Sequence, residues 1–123
     1  MQNNDPVVIV SMARTPMGAF QGELSGLTAT DLGKTAIEEA LKRSGLAAND
    51  IEDVIMGCVL PAGLGQAPAR QAVIKAGLPE STGATTVNKV CGSGMRAVML
   101  AHDSLLAGSS SIMIAGGMES MTN

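Results

Sequence analysis

Four short apolar runs predict the strands of this chain. They are VVIV within about residues 6–12, DVIMGCVL at 53–60, ATTVNKV at 84–90 and SIMIAGG at 111–117. Proline, glycine or other turn-forming residues flank them, as is typical of strands. Because the runs are mostly continuous rather than alternating, they indicate strands that are buried on both faces.

Between these runs, apolar residues recur at helical spacing in three segments. The first predicted helix begins near Thr28 or Thr30, either of which can cap it, and ends at Gly45. A short second helix begins near Pro68, which suits a first helical turn, and a third covers residues 92–107.

The resulting order, β-α-β-α-β-α-β, predicts an α/β fold with a mostly parallel sheet. The connections are long enough for crossover helices, which would cover both faces of the sheet. Ligands of such folds bind outside the carboxyl ends of the strands. Cys91 directly follows the third predicted strand and is therefore expected in that zone.

Composition excludes several classes of function. The 123 residues are 46% hydrophobic and 15% charged, which predicts a folded domain rather than a disordered chain. The net charge is −3 and Phe20 is the only aromatic residue, so neither phosphate-neutralising charge nor stacking platforms exist for nucleic acid. The apolar runs are too short to cross a membrane.

The N-terminus and the cysteines indicate the compartment. The start, MQNNDPVVIV, lacks the basic region and long apolar stretch of a signal peptide, so we expect a cytoplasmic protein with free thiols. The sequence has no CxxC pair or Cys/His cluster, which argues against a metal site. Cys58 lies within a predicted strand and is interpreted as a small core residue.

Cys91 is the candidate nucleophile. A helix N-terminus offers unpaired N–H groups and partial positive charge, which favour the reactive thiolate. Gly92 and Gly94 leave room for a substrate beside the sulfur. The backbone N–H of Cys91 itself could bind a developing oxyanion.

The helix after Cys91 is apolar nearly all round, which predicts burial on most sides at the centre of a larger protein. His102, the only histidine, lies eleven residues beyond Cys91, roughly 16 Å along that helix and beyond hydrogen-bond reach. We expect His102 to be structural or exposed. The chain therefore has a nucleophile without a base, and the rest of the site must come from elsewhere.

Three segments resemble the thiolases, the acetyl-CoA acetyltransferases. They are RTPMGAFQG at 14–22, NKVCGSGMRAV at 88–98 and GGMESMTN at 116–123, and together they span nearly the whole chain in the family's order. The NxxCGSG and GGMESM segments are the specific ones. Asn88, Gly92 and Gly94 thus join Cys91 as supporting residues of the expected site.

The resemblance implies a layered fold of two similar βαβαβαββ halves around two buried central helices, the first of which matches residues 92–107. It implies that Cys91 is acylated by acyl-CoA and that its N–H is one donor of an oxyanion hole. A histidine and a second cysteine of the C-terminal half would complete the site. The activity would be ping-pong acyl transfer that forms or cleaves 3-ketoacyl-CoA.

The resemblance also implies the partners. Coenzyme A and acetyl-CoA would be substrates rather than permanently bound cofactors, and no residue of this chain is identified as binding them. The expected assembly is a homodimer or tetramer in which residues 84–90 pair with the same strand of a second copy. No nucleic acid, membrane or metal partner is expected.

The chain departs from the family in extent. It lacks the loop region, the C-terminal half and the fifth strand of the first half, so we interpret residues 1–123 as an incomplete N-terminal half-domain that is inactive alone. Three alternatives stay open. They are another condensing enzyme of the superfamily, such as a ketoacyl synthase, a non-catalytic interaction or carrier-binding domain, and a plain parallel α/β domain with two core cysteines.

Overall fold

The computed structural model describes residues 4–123. It contains three α-helices and three β-strands in this part of the chain, with a single 3-10 turn at Ala48–Asp50. In chain order the elements are α1 (Ala29–Ser44), β1 (Asp53–Gly57), α2 (Pro68–Lys75), β2 (Gly83–Val87), α3 (Ser93–Ala107) and β3 (Met113–Gly117).

Helix α1 has the ends that the sequence predicts. The Thr28 side chain accepts a hydrogen bond from the Asp31 N–H, and the Asp31 carboxylate accepts one from the Thr28 N–H, which completes a capping box. Gly45 closes the helix in the left-handed conformation, with φ of 73°. Lys75 of α2 bonds to the Asp31 carboxylate at 2.8 Å and ties the two helices together.

The three strands form a parallel sheet in the order β2-β1-β3. Val54 and Met56 of β1 face one core, built with residues of α1 and α2. Ile55 faces the other, built with Ala97 and Ala101 of α3. The predicted parallel α/β sheet with helices on both faces is therefore confirmed, and central β1 is buried from both sides.

The predicted strand at residues 6–12 is wrong. The segment has no regular secondary structure and belongs to no sheet, and Val8 and Ile9 are 74% and 78% exposed. Two hydrogen bonds link it to α1, since the Ser11 hydroxyl donates to the Ala40 carbonyl and the Arg43 guanidinium donates to the Met12 carbonyl. A cleft of about 560 Å³ is lined by residues of this segment, of α1, of α3 and of β3. A strand forms only beside a partner, and this segment has none among residues 4–123.

The burial predicted for the third helix at the centre of a larger protein stays a prediction, because residues 4–123 cover only part of its surface. Only one stripe of α3 is buried, through Ser93, Ala97 and Ala101. The opposite face leaves four large apolar side chains about half or more exposed, namely Met95, Val98, Met99 and Leu106. The bounds of the helix are as predicted, but nothing in residues 4–123 covers its outer face.

None of the helices in the described residues is long and apolar enough to cross a membrane.

Candidate active site

The turn between β2 and α3 presents Cys91. The predicted strand at 84–90 ends early, at Val87, because residues 88–92 fold back on themselves. In this turn the Gly92 N–H donates to the Lys89 carbonyl at 3.0 Å and the Ser93 N–H to the Val90 carbonyl at 3.1 Å. The Cys91 thiol is free and exposed. Its N–H donates to no group in residues 4–123, so the sulfur and the donor are both available to a ligand.

Two glycines that sequence reasoning missed set the position of this turn. A Cβ on Gly57, the last residue of β1, would lie 2.5 Å from the Ser93 carbonyl carbon and 2.7 Å from the Gly94 nitrogen. A Cβ on Gly117, the last residue of β3, would lie 3.3 Å from the Gly94 Cα. The start of α3 therefore rests on bare backbone at the carboxyl ends of two strands. Gly117 ends the strand predicted at 111–117, which was an available signal, whereas Gly57 lies inside the strand predicted at 53–60 and gave none.

The glycines predicted beside Cys91 are less constrained by the chain itself. A Cβ on Gly92 would meet only the Lys89 carbonyl, at 3.4 Å, and one on Gly94 would lie 3.9 Å from Gly117. Both are ordinary contacts. Packing within residues 4–123 therefore does not require either glycine, and a role for them depends on what approaches Cys91.

Asn88 and Glu119 join the loops at the carboxyl ends of all three strands. The Asn88 amide donates to the Val59 carbonyl at 3.0 Å, while its oxygen accepts from the Val90 N–H at 2.9 Å. The Glu119 carboxylate accepts from the Val59 and Leu60 N–H groups at 2.7 and 3.2 Å. The loop after β1 is thus held from both sides, which ends the strand predicted at 53–60 at Gly57.

Cys58 is a core residue, as predicted. It is 1% exposed, and its N–H donates to the Val87 carbonyl at 3.0 Å. Burial, together with the nearby Glu119 carboxylate, raises the pKa of this thiol above its usual value. Both effects keep the sulfur protonated and unreactive.

His102 has the structural role that the sequence predicts. Its Nε2 lies 2.5 Å from the Asp5 carboxylate, and this hydrogen bond raises the histidine pKa. It does not approach Cys91, so the described residues supply no histidine base to the thiol. They also contain no group of three or more His, Cys, Asp or Glu side chains that could hold a metal ion.

The arrangement suits one kind of chemistry. An exposed thiol stands at the positive end of an α-helix, beside an N–H that is free to stabilise an oxyanion. These are two parts of a site for nucleophilic acyl transfer. The base that such a reaction needs is absent from residues 4–123.

The family profile described as "Thiolase, N-terminal domain" matches residues 7–123. Similar curated proteins include acetyl-CoA acetyltransferase B, mitochondrial, of Xenopus laevis, at 59% identity over 95% of this chain, and the mitochondrial acetyl-CoA acetyltransferase of Homo sapiens, at 56% identity over 95%. The cytosolic acetyl-CoA acetyltransferase ERG10 of Gibberella zeae is 51% identical over the whole chain.

Among solved structures, Acat5 thiolase from Ascaris suum in complex with coenzyme A matches 94% of this chain with a TM-score of 0.92 and 44% identity. The predicted layered fold is therefore confirmed for the part that the chain covers. The chain spans 28% of the length of the Xenopus relative and 30% of the Ascaris chain.

Proposed function

Because the chain belongs to the thiolase family, matching its N-terminal domain, we propose that residues 1–123 are an incomplete N-terminal half-domain of an acetyl-CoA acetyltransferase. Cys91 is its acyl-carrying nucleophile. The observation that carries the proposal is the exposed Cys91 thiol at the start of α3, in a chain 59% identical to an acetyl-CoA acetyltransferase.

In the first half-reaction, the Cys91 thiolate attacks the carbonyl carbon of an acyl-CoA. The carbonyl oxygen becomes an oxyanion, toward which the free Cys91 N–H donates. One such donor typically contributes about 3 kcal/mol of transition-state stabilisation. Collapse of the intermediate breaks the bond to the coenzyme A sulfur, which leaves and takes up a proton. The products are free coenzyme A and an acyl thioester on Cys91.

In the second half-reaction, an acetyl-CoA loses a proton from its α-carbon. The carbanion attacks the acyl carbon on Cys91, a carbon–carbon bond forms, and the Cys91 thiolate leaves. The product is a 3-ketoacyl-CoA, and the reverse sequence cleaves it. The base for the α-proton belongs to the remaining polypeptide of the enzyme, since His102 is engaged with Asp5 and does not approach Cys91.

Two features support the proposal that this half-domain is incomplete. The outer face of α3 carries exposed Met95, Val98, Met99 and Leu106, an apolar surface that a second half would cover. The open cleft beside β3 is lined by β3 itself, by residues 7–13 and by parts of α1 and α3. Because β3 is an edge strand of the sheet, an extended segment that enters the cleft could pair with it. We expect the fifth strand of the first half to fill this cleft.

The substrate is inferred from the same comparison. The Ascaris thiolase was solved in complex with coenzyme A. We propose acyl-CoA substrates for this protein too, with coenzyme A leaving as a product rather than staying as a cofactor. The relatives include both mitochondrial and cytosolic proteins, and the cytoplasmic compartment predicted from the N-terminus stays a prediction.

The proposed assembly is a homodimer, or a tetramer built from dimers, through the free edge of β2. This strand lies at one side of the sheet. The Gly83 N–H and the Val87 carbonyl bond to the β1 side, so the groups of Ala84 and Thr86 point outward by alternation. Ala84→Pro should remove an outward donor and yield monomer in light scattering. An Ala84→Pro protein that stays dimeric would contradict pairing through this edge.

The function is tested with the enzyme completed by its C-terminal polypeptide. We expect it to release free coenzyme A thiol as it condenses acetyl-CoA. Cys91→Ser should lose this activity, because an alkoxide forms far less readily than a thiolate, whereas Cys58→Ser should keep it. Activity with acyl-carrier thioesters but not with acyl-CoA would instead indicate a ketoacyl synthase. No activity with either would indicate a non-catalytic domain.

A further inference from the structure

The residue before Cys91 has an unusual backbone conformation. Val90 has φ of 48°, in the left-handed region that β-branched residues rarely adopt. Its side chain is 66% exposed, so burial of the valine does not offset the strain. Such strained conformations persist only when surrounding groups hold them, and they cluster at functional sites.

Side-chain hydrogen bonds hold both peptide groups of Val90. The Val90 N–H donates to the Asn88 side-chain oxygen at 2.9 Å. The Ser93 hydroxyl donates to the Val90 carbonyl at 2.6 Å and accepts from the Lys89 N–H at 2.8 Å. One hydroxyl thus closes the turn across the strained residue.

Ser93 is itself fixed. It is 4% exposed, and its backbone lies against Gly57 at the end of β1. It is the first residue of α3, yet its hydroxyl bonds backwards to the turn, and the helix has no side-chain cap. Capping of the helix therefore does not explain this serine.

We propose that Ser93 is a positioning residue for Cys91, whose hydroxyl holds Val90 in the left-handed conformation and thereby directs the Cys91 thiol and N–H outward. Without the hydroxyl, Val90 can relax to a negative φ, which rotates the following peptide group and moves Cys91. The inference rests on the proposed function only in taking Cys91 as the nucleophile.

The test is a double-mutant cycle between Ser93→Ala and Val90→Gly in the completed protein. Alkylation of Cys91 by iodoacetamide is timed at fixed pH by mass spectrometry of the peptide that contains it, and the thermal midpoint is measured in parallel. Glycine adopts the left-handed conformation without strain, so it should not need the serine. We expect Ser93→Ala to slow alkylation of Cys91 by about tenfold relative to the unmutated protein. In the double variant, Val90→Gly should bring the rate back to within about threefold of the unmutated rate.

If the double variant regains the alkylation rate but not the thermal midpoint, Ser93 acts on the position of Cys91 and not only on stability, which supports the inference. A double variant as slow as Ser93→Ala would overturn the inference, and so would unchanged alkylation in Ser93→Ala. If Ser93→Ala fails to fold, Val90→Gly and the double variant are compared directly, and equal rates support the inference. A double variant that also fails to fold would assign Ser93 to the fold alone. Alkylation does not require acyl transfer, so normal Cys91 alkylation with no acyl transfer would contradict only the proposed function.

Discussion

The two cysteines of this chain lie beyond the carboxyl ends of adjacent parallel strands, yet they differ in almost every property that matters for reactivity. Cys58 comes directly after β1 and is 1% exposed, with its pKa raised by burial and by Glu119. Cys91 comes four residues after β2 and is exposed at the start of α3.

The difference arises from the segment after each strand rather than from the strands themselves. After β1 the chain keeps to the sheet, so Cys58 packs in the core with residues of α1 and α2, and Glu119 and Asn88 hold the loop that follows. After β2 it turns sharply at Val90 and enters a helix that rests on Gly57. A thiol at the edge of a parallel sheet is thus exposed only where the next turn directs it outward, as it does for Cys91, the proposed nucleophile.

The difference in reactivity between Cys58 and Cys91 should be lost most completely in residues 1–123 alone. The outer face of α3 and the open cleft beside β3 would expose more apolar surface than a monomer tolerates. We expect this chain to be aggregated or molten without its C-terminal polypeptide, with Cys58 alkylated about as fast as Cys91. The measurements are sedimentation, binding of a hydrophobic dye and timed alkylation of each cysteine. A monomer with cooperative unfolding and a protected Cys58 would show instead that the chain is a self-sufficient domain.

A second prediction concerns the contact that fixes the start of α3. Gly57→Ala places a methyl group 2.5 Å from the backbone of Ser93, so the helix start must move away from β1. In the completed protein we expect a loss of about 3 kcal/mol in the free energy of unfolding. Alkylation of Cys58 should become faster and acylation of Cys91 slower.

The matched control is Gly94→Ala, where the added methyl group meets only an ordinary contact at 3.9 Å. There we expect equal or slightly higher stability, since alanine suits a helix better than glycine. Similar losses in the two variants would show that the approach of α3 to Gly57 is not what sets the position of the helix.

A feature of this molecule can be predicted from the sequence where the interactions that fix it join residues close together in the chain. The ends of α1 are predictable because the capping pair Thr28 and Asp31 is local. The surroundings of α3 and of residues 6–12 are not, because burial of a helix and pairing of a strand depend on segments distant in the sequence.

The site divides in the same way. Cys91 is predictable because a cysteine between a strand and a glycine-rich helix start is a local pattern. Gly57 and Glu119 are not, because each contacts a part of the fold that is distant in the sequence. The Ser93 hydroxyl bonds only to nearby Lys89 and Val90, but its role depends on the backbone conformation of Val90. A strained valine has no sequence signal, since nothing in its neighbours requires a positive φ.

The smallest expected effect is the pH dependence of stability from Cys58. The pKa of this thiol is raised in the folded state above its ordinary value of 9.0, so folding favours the protonated form. The corresponding stability is present below the unfolded pKa and is lost as the pH rises through the folded pKa. We therefore expect the completed protein to lose stability above about pH 9, and Cys58→Ser to remove that part of the loss. Denaturant unfolding at several alkaline pH values measures it, and an identical pH dependence in Cys58→Ser would contradict the assignment.

The central claim is that Cys91 carries the acyl group, and mass spectrometry after a brief exposure to acetyl-CoA tests it most directly. Trypsin cleaves after Lys89 and Arg96, so Cys91 appears in the peptide of residues 90–96, while Cys58 appears in the peptide of residues 44–70. The completed protein should gain the mass of one acetyl group on the 90–96 peptide, with none on 44–70. Prior alkylation of Cys91 should prevent the gain. Acetylation of the 44–70 peptide, or unchanged acetyl transfer in Cys91→Ser, would show that Cys91 is not the nucleophile.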